Sequence, residues 1–313
     1  MIVLIATVTL NPCIDRTLEL DHLVVGGLNR VKNKLEQPSG KGINVSRALS
    51  RWGQPTEALT MVGGNSGHWL VKRLEELDIS VDWVEVQDDT RTNLKVWAVL
   101  DKCVTEINEP GPMVTEEELQ ELQAKVSSKA SEWDWVVISG SVPPGTPQDF
   151  YAGLIETAKS KGARVALDAS GIGLRAGLEA GPDLIKPNET EAAQVLGWEL
   201  RDEAGAVAAV GELAQRGIDY VLLTLGKAGG FLGHKGQIWQ GIPPEVVAQT
   251  TVGCGDSTLA GMVWALREGK DLAEAMCWAM AAGAAAATTR GTEPPEWATV
   301  EELVEQVRVC RHR

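Results

Sequence analysis

The segment Gly253-Cys254-Gly255-Asp256 sets bare backbone amides beside a carboxylate. After it, the apolar residues Leu259, Met262, Val263 and Leu266 recur at helical spacing, so a helix starts here with one face buried. Glycines at 253 and 255 allow a tight turn before that helix and leave N–H groups unshielded. Free N–H groups at a helix start favour an anion, and the helix dipole adds to the pull. A carboxylate in the same turn competes with the anion unless it has its own task. Accepting a proton from an alcohol that attacks a bound phosphoryl group is such a task; capping the helix is the plainer alternative.

Three other places carry related chemistry. Lys186-Pro187-Asn188 leaves a short apolar run and opens a helix, with Glu191 three residues after Asn188. That spacing suits a capping box, and it equally suits a sparse, water-mediated hold on Mg²⁺ beside nucleotide phosphates. Ser39-Gly40-Lys41-Gly42-Ile43-Asn44 opens another helix; its glycines admit a ligand close to the backbone, and the Asn44 amide can donate to or accept from a sugar hydroxyl. The alternative there is a flexible turn. Asn11 to Asp15 and Thr224-Leu225-Gly226 to Gly229 each end an apolar run, where open α/β sheets place ligands.

Two phosphate-binding patterns are weaker than they look. A Walker A loop needs Ser or Thr after its Gly-Lys, but Gly42 follows Gly40-Lys41. Gly171 to Ala176 fits a dinucleotide fingerprint, which would make the chain an NAD(P)-dependent oxidoreductase. It lies in mid-chain, however, and Gly177 and Gly181-Pro182 interrupt the helix it would need.

These residues need a scaffold. Strand-like apolar runs fall at 2–9, 58–62, 135–139, 163–168, 183–185 and 220–225. Helical patterns lie near 42–52, 66–77, 115–128, 147–161, 188–196 and 202–216, then 255–268, 271–288 and 299–308. Such alternation predicts an α/β fold with a mostly parallel sheet covered on both faces. Residues 13–37 and 81–108 break the rhythm with extended patterns and predict a small antiparallel sheet standing off one core. The chain has 313 residues, 44% of them apolar and 23% charged, which excludes a disordered or fibrous protein. Its net charge of −14 disfavours nucleic acid and anionic lipid as partners, so any phosphate site must be local. Five cysteines without a CxxC pair and four scattered histidines suggest neither disulfides nor zinc. The apolar start lacks a basic leader and the run Ala275 to Ala287 is too short to span a bilayer, so a cytoplasmic protein with no membrane partner is expected.

Together these segments resemble the PfkB family of ribokinase-like carbohydrate kinases, from about Ile2 to about Thr292. Thr9 to Asp15 is similar to the family's opening signature, Ser39 to Arg47 to its sugar-site motif and Val137 to Gly145 to its central loop. Gly26 to Arg30 and Thr105 to Gly111 resemble the bacterial 1-phosphofructokinase branch. The resemblance implies one domain over 1–313, a three-layer ribokinase-like sandwich with a small β-sheet lid at about 13–37 and 81–108, and a homodimer through that lid. It implies ATP and Mg²⁺, with fructose 1-phosphate as acceptor; tagatose 6-phosphate is the alternative in the same class, and a silent sugar-phosphate sensor a further one. Asp256 would be the base, and the amides of Gly253, Cys254 and Gly255 the anion hole. Asp15, Gly40, Lys41 and Asn44 would grip the sugar; Arg91 and Ser139, with Lys102 or Arg30, would take its phosphate. Lys186, Asn188 and Glu191 would organise ATP phosphates and Mg²⁺, and Thr224, Gly226 and Gly229 the nucleotide. Cys254 stands where alanine is commoner in the family, and Ser39 where glycine is usual.

Overall fold

A strand whose neighbouring residues are all apolar must be covered on both faces, and the strands of this chain sort their side chains accordingly. Val136, Ile138, Val221 and Leu223 enter one core, while Trp135, Val137 and Leu222 enter another. A computed structural model describes residues 5–312, so residues 2–4 of the strand expected over 2–9 lie outside the described residues.

The strands are β1 (Ile5–Thr9), β2 (Cys13–Leu20), β3 (Asn33–Ser39), β4 (Thr56–Val62), β5 (Ser80–Glu85), β6 (Thr92–Ala98) and β7 (Cys103–Ile107). They continue as β8 (Trp135–Ser139), β9 (Arg164–Asp168), β10 (Leu184–Ile185), β11 (Tyr220–Thr224), β12 (Gly230–His234), β13 (Gln237–Ile242) and β14 (Arg308–His312). The helices are α1 (Lys41–Arg51), α2 (Gly64–Glu75), α3 (Glu116–Lys129), α4 (Phe150–Ser160) and α5 (Gly171–Glu179). After them come α6 (Glu189–Leu196), α7 (Glu203–Ala214), α8 (Cys254–Arg267), α9 (Leu272–Ala287) and α10 (Trp297–Val304).

The large sheet runs β14-β13-β12-β11-β10-β9-β8-β1-β4-β5, parallel from β5 to β11 and antiparallel beyond. Helices α3 to α7 pack on one face, and α1, α8, α9 and α10 on the other. The small sheet, β3-β2-β6-β7, is built from the two segments expected to form a lid; it is mixed and not antiparallel as the sequence suggested, since β2 and β6 run parallel while β2–β3 and β6–β7 are antiparallel. Two further sequence expectations need correction here. Ser80–Glu85 belongs to the large sheet, where it pairs in parallel with β4, so the second lid segment is 92–107 and not 81–108. The last helix stops at Val304, because Arg308–His312 pairs with β13 as a closing edge strand. The antiparallel strands β12 to β14 carry no long apolar run and were not foreseen.

Parallel strands all end at one edge, and the candidate residues follow from that. Asn11 lies just past β1, Ser139 ends β8, Asp168 ends β9, Lys186 follows β10 and Thr224 ends β11. The amino-terminal end of α1 is lowered onto β1 through Gly42, where a Cβ would meet Thr9 Oγ1 at 2.4 Å. The glycines of 40 and 42 therefore face β1, whereas the sequence suggested that they make room for a ligand.

Candidate active site

Helix α8 begins without a side-chain cap: Gly253 occupies the N-cap position with a left-handed φ of 79°, and no side chain among the described residues caps the free amides. Its first main-chain bond is donated by Ser257 N to Gly253 O at 2.9 Å, which leaves the earlier N–H groups without helical partners. Gly253, Cys254 and Gly255 are partly exposed, so a ligand can reach this turn. Asp256 is not their cap. Its carboxylate, buried, accepts from Asn44 Nδ2 at 2.8 Å across to α1.

Beside this turn lies a cluster of opposite charges. Lys186 reaches over it, so that a Cβ at Gly255 would sit 3.3 Å from the ammonium nitrogen. The same ammonium lies 3.2 Å from Asp168 Oδ2, while Lys41 donates to Asp168 Oδ1 at 2.9 Å. Glu191 Oε1 is 3.5 Å from Lys41. Asp168 is wholly buried; burial alone would raise its pKa, but Lys186 and Lys41 outweigh that and hold it below the usual carboxylate range. Burial also favours a neutral Lys41, yet Asp168, Glu191 and Asp256 overcome it and push its pKa up. For Asp256 burial, reinforced by the charge of Asp168, pushes the pKa up to about 6 against the pull of Asn44, Lys41 and Lys186. Two carboxylates a short way apart thus titrate on opposite sides of the ordinary value, the pattern expected of a fixed charge and a working base.

Asn188 and Glu191 do form the reciprocal cap: Glu191 N donates to Asn188 Oδ1 at 2.9 Å, and Asn188 N to Glu191 Oε2 at 2.9 Å. These oxygens are committed to the helix start, so the pair suits a hydrated ion touched through water and not direct ligation. Thr224 bridges to Asn188. Gly226 and Gly229 follow with positive φ, and Gly229 is required because a Cβ there would meet Gly241 O at 2.0 Å.

The lid supplies Asp15, buried and paired with Lys95 at 2.6 Å. Ser139 is fully buried with an unpartnered Oγ at the end of β8. Arg91 spends Nη2 on Asn11 O at 2.9 Å, Nη1 on Glu109 O at 2.8 Å and Nε on Pro12 O at 3.4 Å, tying the lid base to the β1 loop. Arg30 and Lys102 are not brought to this cluster. Both are exposed, in the β2–β3 and β6–β7 connections, at the end of the lid sheet opposite Asp15. A cavity of about 450 Å³ lined by Gln37, Arg51, Arg290 and Glu293 lies nearby but contains none of the charged cluster, so it is not the reaction site.

Sequence reading missed Asp168, Lys95 and Arg47 as partners. Asp168 had a usable signal, a charged residue closing the apolar run 163–168 at the sheet's carboxyl edge. Lys95 and Arg47 looked like solvated charges. The dinucleotide fingerprint dissolves: Gly171 to Ala176 lies within α5, which continues through Gly177 to Glu179. Its glycines serve packing, since Cβ atoms at Gly173 and Gly177 would press on Tyr151 and Leu167 at 2.9 and 2.6 Å.

Known proteins resemble this chain over nearly its whole length. The sequence profile of the pfkB family of carbohydrate kinases matches residues 8–299. A 1-phosphofructokinase of Bacillus subtilis (strain 168) is 33% identical over 308 residues, 98% of this chain and 100% of that protein. The crystal structure of phosphofructokinase-2 from Escherichia coli in complex with potassium superposes with a TM-score of 0.93 at 32% identity, over 97% of this chain and 99% of that one. Arabidopsis thaliana ribokinase, with ribose and ATP, is similar in fold, with a TM-score of 0.79 at 21% identity over 97% of this chain and 99% of its own.

The burial of Asp256 has a cost that can be measured. Its folded pKa of about 6 lies above the unfolded 3.8, so the charged form destabilises the fold above about pH 6, and the penalty fades toward pH 4. The difference corresponds to roughly 3 kcal/mol. Asp256→Asn, which keeps an oxygen for Asn44, should melt several degrees higher than the parent at pH 8 and converge with it near pH 4. Equal melting points at pH 8 would show that the carboxylate carries no such penalty.

Proposed function

The chain belongs to the pfkB family of carbohydrate kinases, and from that premise we propose that it moves the γ-phosphoryl group of ATP to the free primary alcohol of D-fructose 1-phosphate, forming fructose 1,6-bisphosphate. The observation that carries the reading is the uncapped start of α8, with open amides beside a carboxylate whose pKa is raised to about 6. Asp256 accepts the proton of the attacking hydroxyl. In a loose phosphoryl-transfer transition state the alcohol loses its proton late, so a carboxylate of that strength suffices as base.

Charge on the travelling PO₃ group is met by the amides of Gly253, Cys254 and Gly255 and by Lys186 above them. Cys254 contributes only its N–H, and burial followed by the Asp256 charge pushes its thiol pKa up to about 11, so it stays a thiol. Asp168 anchors the ammonium groups of Lys41 and Lys186 and helps keep Lys41 charged, without competing for the proton. Mg²⁺, held through water by Glu191 and Asn188, would neutralise charge on the ATP phosphates. Thr224, Gly226 and Gly229 line the nucleotide side. Asp15, Gly40, Lys41 and Asn44 orient the sugar, and Arg91 with Ser139 takes its phosphate; three N–H groups of Arg91 are engaged, which leaves two for a phosphate oxygen. Full-length similarity to a 1-phosphofructokinase favours fructose 1-phosphate over tagatose 6-phosphate.

A coupled ADP assay across fructose 1-phosphate, fructose 6-phosphate and tagatose 6-phosphate tests the acceptor, and the highest kcat/KM is expected for the first. Asp256→Asn should lower kcat by roughly 10²–10⁴ with KM nearly unchanged. Arg91→Ala should raise KM for the sugar phosphate far more than for ATP. A near-normal kcat in the first variant, or equal losses in the second, would remove those residues from their roles.

The lid also supports a homodimer. Strand β7 is a sheet edge exposed at all five residues, and Val104 and Ile107 on it are 47% and 54% exposed, with Val25 and Leu28 bare at the lid tip. Sedimentation at micromolar concentration should give a dimer, and Ile107→Lys should dissociate it. A monomeric parent protein would end this reading.

A further inference from the structure

The side-chain amide of Asn44 is held from three directions. Its Nδ2 donates to Asp256 Oδ2 at 2.8 Å, while its Oδ1 accepts from Ser39 Oγ and from Arg47 Nη1, each at 3.3 Å. An arginine only donates and an ionised carboxylate only accepts, so the amide satisfies both neighbours in one orientation and neither in the flipped one. Arg47 is in turn fixed. It is 4% exposed, and its Nη1 donates to the carbonyl and hydroxyl of Thr292 at 2.9 and 3.2 Å. The lid strand holds that loop: Gln37 Nε2 donates to Glu293 Oε2 at 2.9 Å, and Gln37 Oε1 accepts from Thr292 N at 3.1 Å. Gly291 makes room for this contact, since a Cβ there would come within 2.5 Å of Gln37 Oε1.

We propose that Ser39 and Arg47 are positioning residues for the catalytic base, which lock the Asn44 amide so that it grips one oxygen of Asp256 and leaves the other for the acceptor alcohol. The proposal rests on the reading of Asp256 as base. Two consequences follow from the geometry. With its oxygen taken twice and one N–H committed, Asn44 offers the sugar a single donor and no acceptor, so it recognises a hydroxyl oxygen. Ser39 contributes the second of the two donors. It does so without charge, which makes it the cleaner probe.

The experiment follows kcat/KM of the full chain against pH for the parent, Ser39→Ala, Ser39→Gly, Arg47→Lys and the Ser39→Ala/Arg47→Lys pair, with Asp256→Asn as reference. The Asn44 hydrogen bond lowers the pKa of Asp256, so loosening it should move the acid limb to higher pH. Each single change should cut kcat about threefold, and the pair by more than the product of the two, with KM for ATP within about twofold of the parent. A shift in Ser39→Ala cannot arise from a lost charge, and Ser39 carries the test alone if Arg47→Lys does not fold. Acid limbs that coincide with the parent's in Ser39→Ala and in the pair, while Asp256→Asn is inactive, would overturn the clamp. An Asp256→Asn enzyme with parental activity would overturn the base itself, and the clamp with it.

Discussion

The arrangement depends on an unequal sharing of cations between two buried carboxylates. Asp168 takes contacts from both Lys41 and Lys186, at 2.9 and 3.2 Å, and Asp256 takes none. Burying a charge is tolerable only where it is paired or hydrogen-bonded. Asp168 meets that condition fully and stays ionised. Asp256 meets it in part, through one amide, and so keeps an affinity for protons near neutrality. Exchanging the roles would produce a useless pair: a base neutralised by two ammoniums, and a structural carboxylate that protonates. The lysines also remain available, because Lys186 lies over the amides of the α8 turn while it is anchored from behind.

That geometry is enforced from the backbone upward. Gly42 lets α1 sit on β1, which sets the height of Asn44 and Lys41; Gly253 turns the chain into α8 with a left-handed conformation. Helices α1 and α8 share one core that includes Val45, Ala48, Leu49, Leu259 and Val263, which fixes the two helix starts against each other. Side-chain contacts then make the final adjustment. The order matters, because a contact such as Asn44 to Asp256, 212 residues apart in sequence, is only as well defined as the two helix ends that bear it.

How much of this was legible beforehand varies by residue type. Parallel strands such as Trp135–Ser139 announce themselves, since burial on both faces demands an unbroken apolar run. The strands β12 to β14 do not: in Gly230–His234, though it is mostly buried, two glycines break the apolar run, and Arg308–His312 is an edge strand of largely exposed, mostly polar residues. Ser80–Glu85 was misplaced because an extended pattern states that a strand exists and is silent about its partner. In the site, glycine-bearing turns and the carboxylate next to them were readable. The identities of Lys95 and Arg47 were not, because a charge whose partner lies 80 or more residues away has the same local appearance as one facing water. Capping geometry separated two motifs that the sequence left undecided: Asn188 and Glu191 cap their helix, and Asp256 does not.

The acidic balance of the chain gives these local features a further meaning. A net charge of −14 repels anionic substrates at long range, yet the proposed reaction brings two of them to the candidate site. Salt screens such a diffuse repulsion within about 10 Å, but it barely touches an ammonium buried against Asp168. On the proposed reading recognition is short-ranged: a phosphate gains nothing until it meets the α8 amides, Lys186 and Arg91 at contact distance. Selection then rests on the placement of a few donors, each fixed by a buried acceptor behind it. A protein of this charge could not substitute a general basic surface for that placement, which is why the second layer of contacts, Asp168 behind the lysines and the carbonyls behind Arg91, is as much a part of the site as the groups that face the ligand.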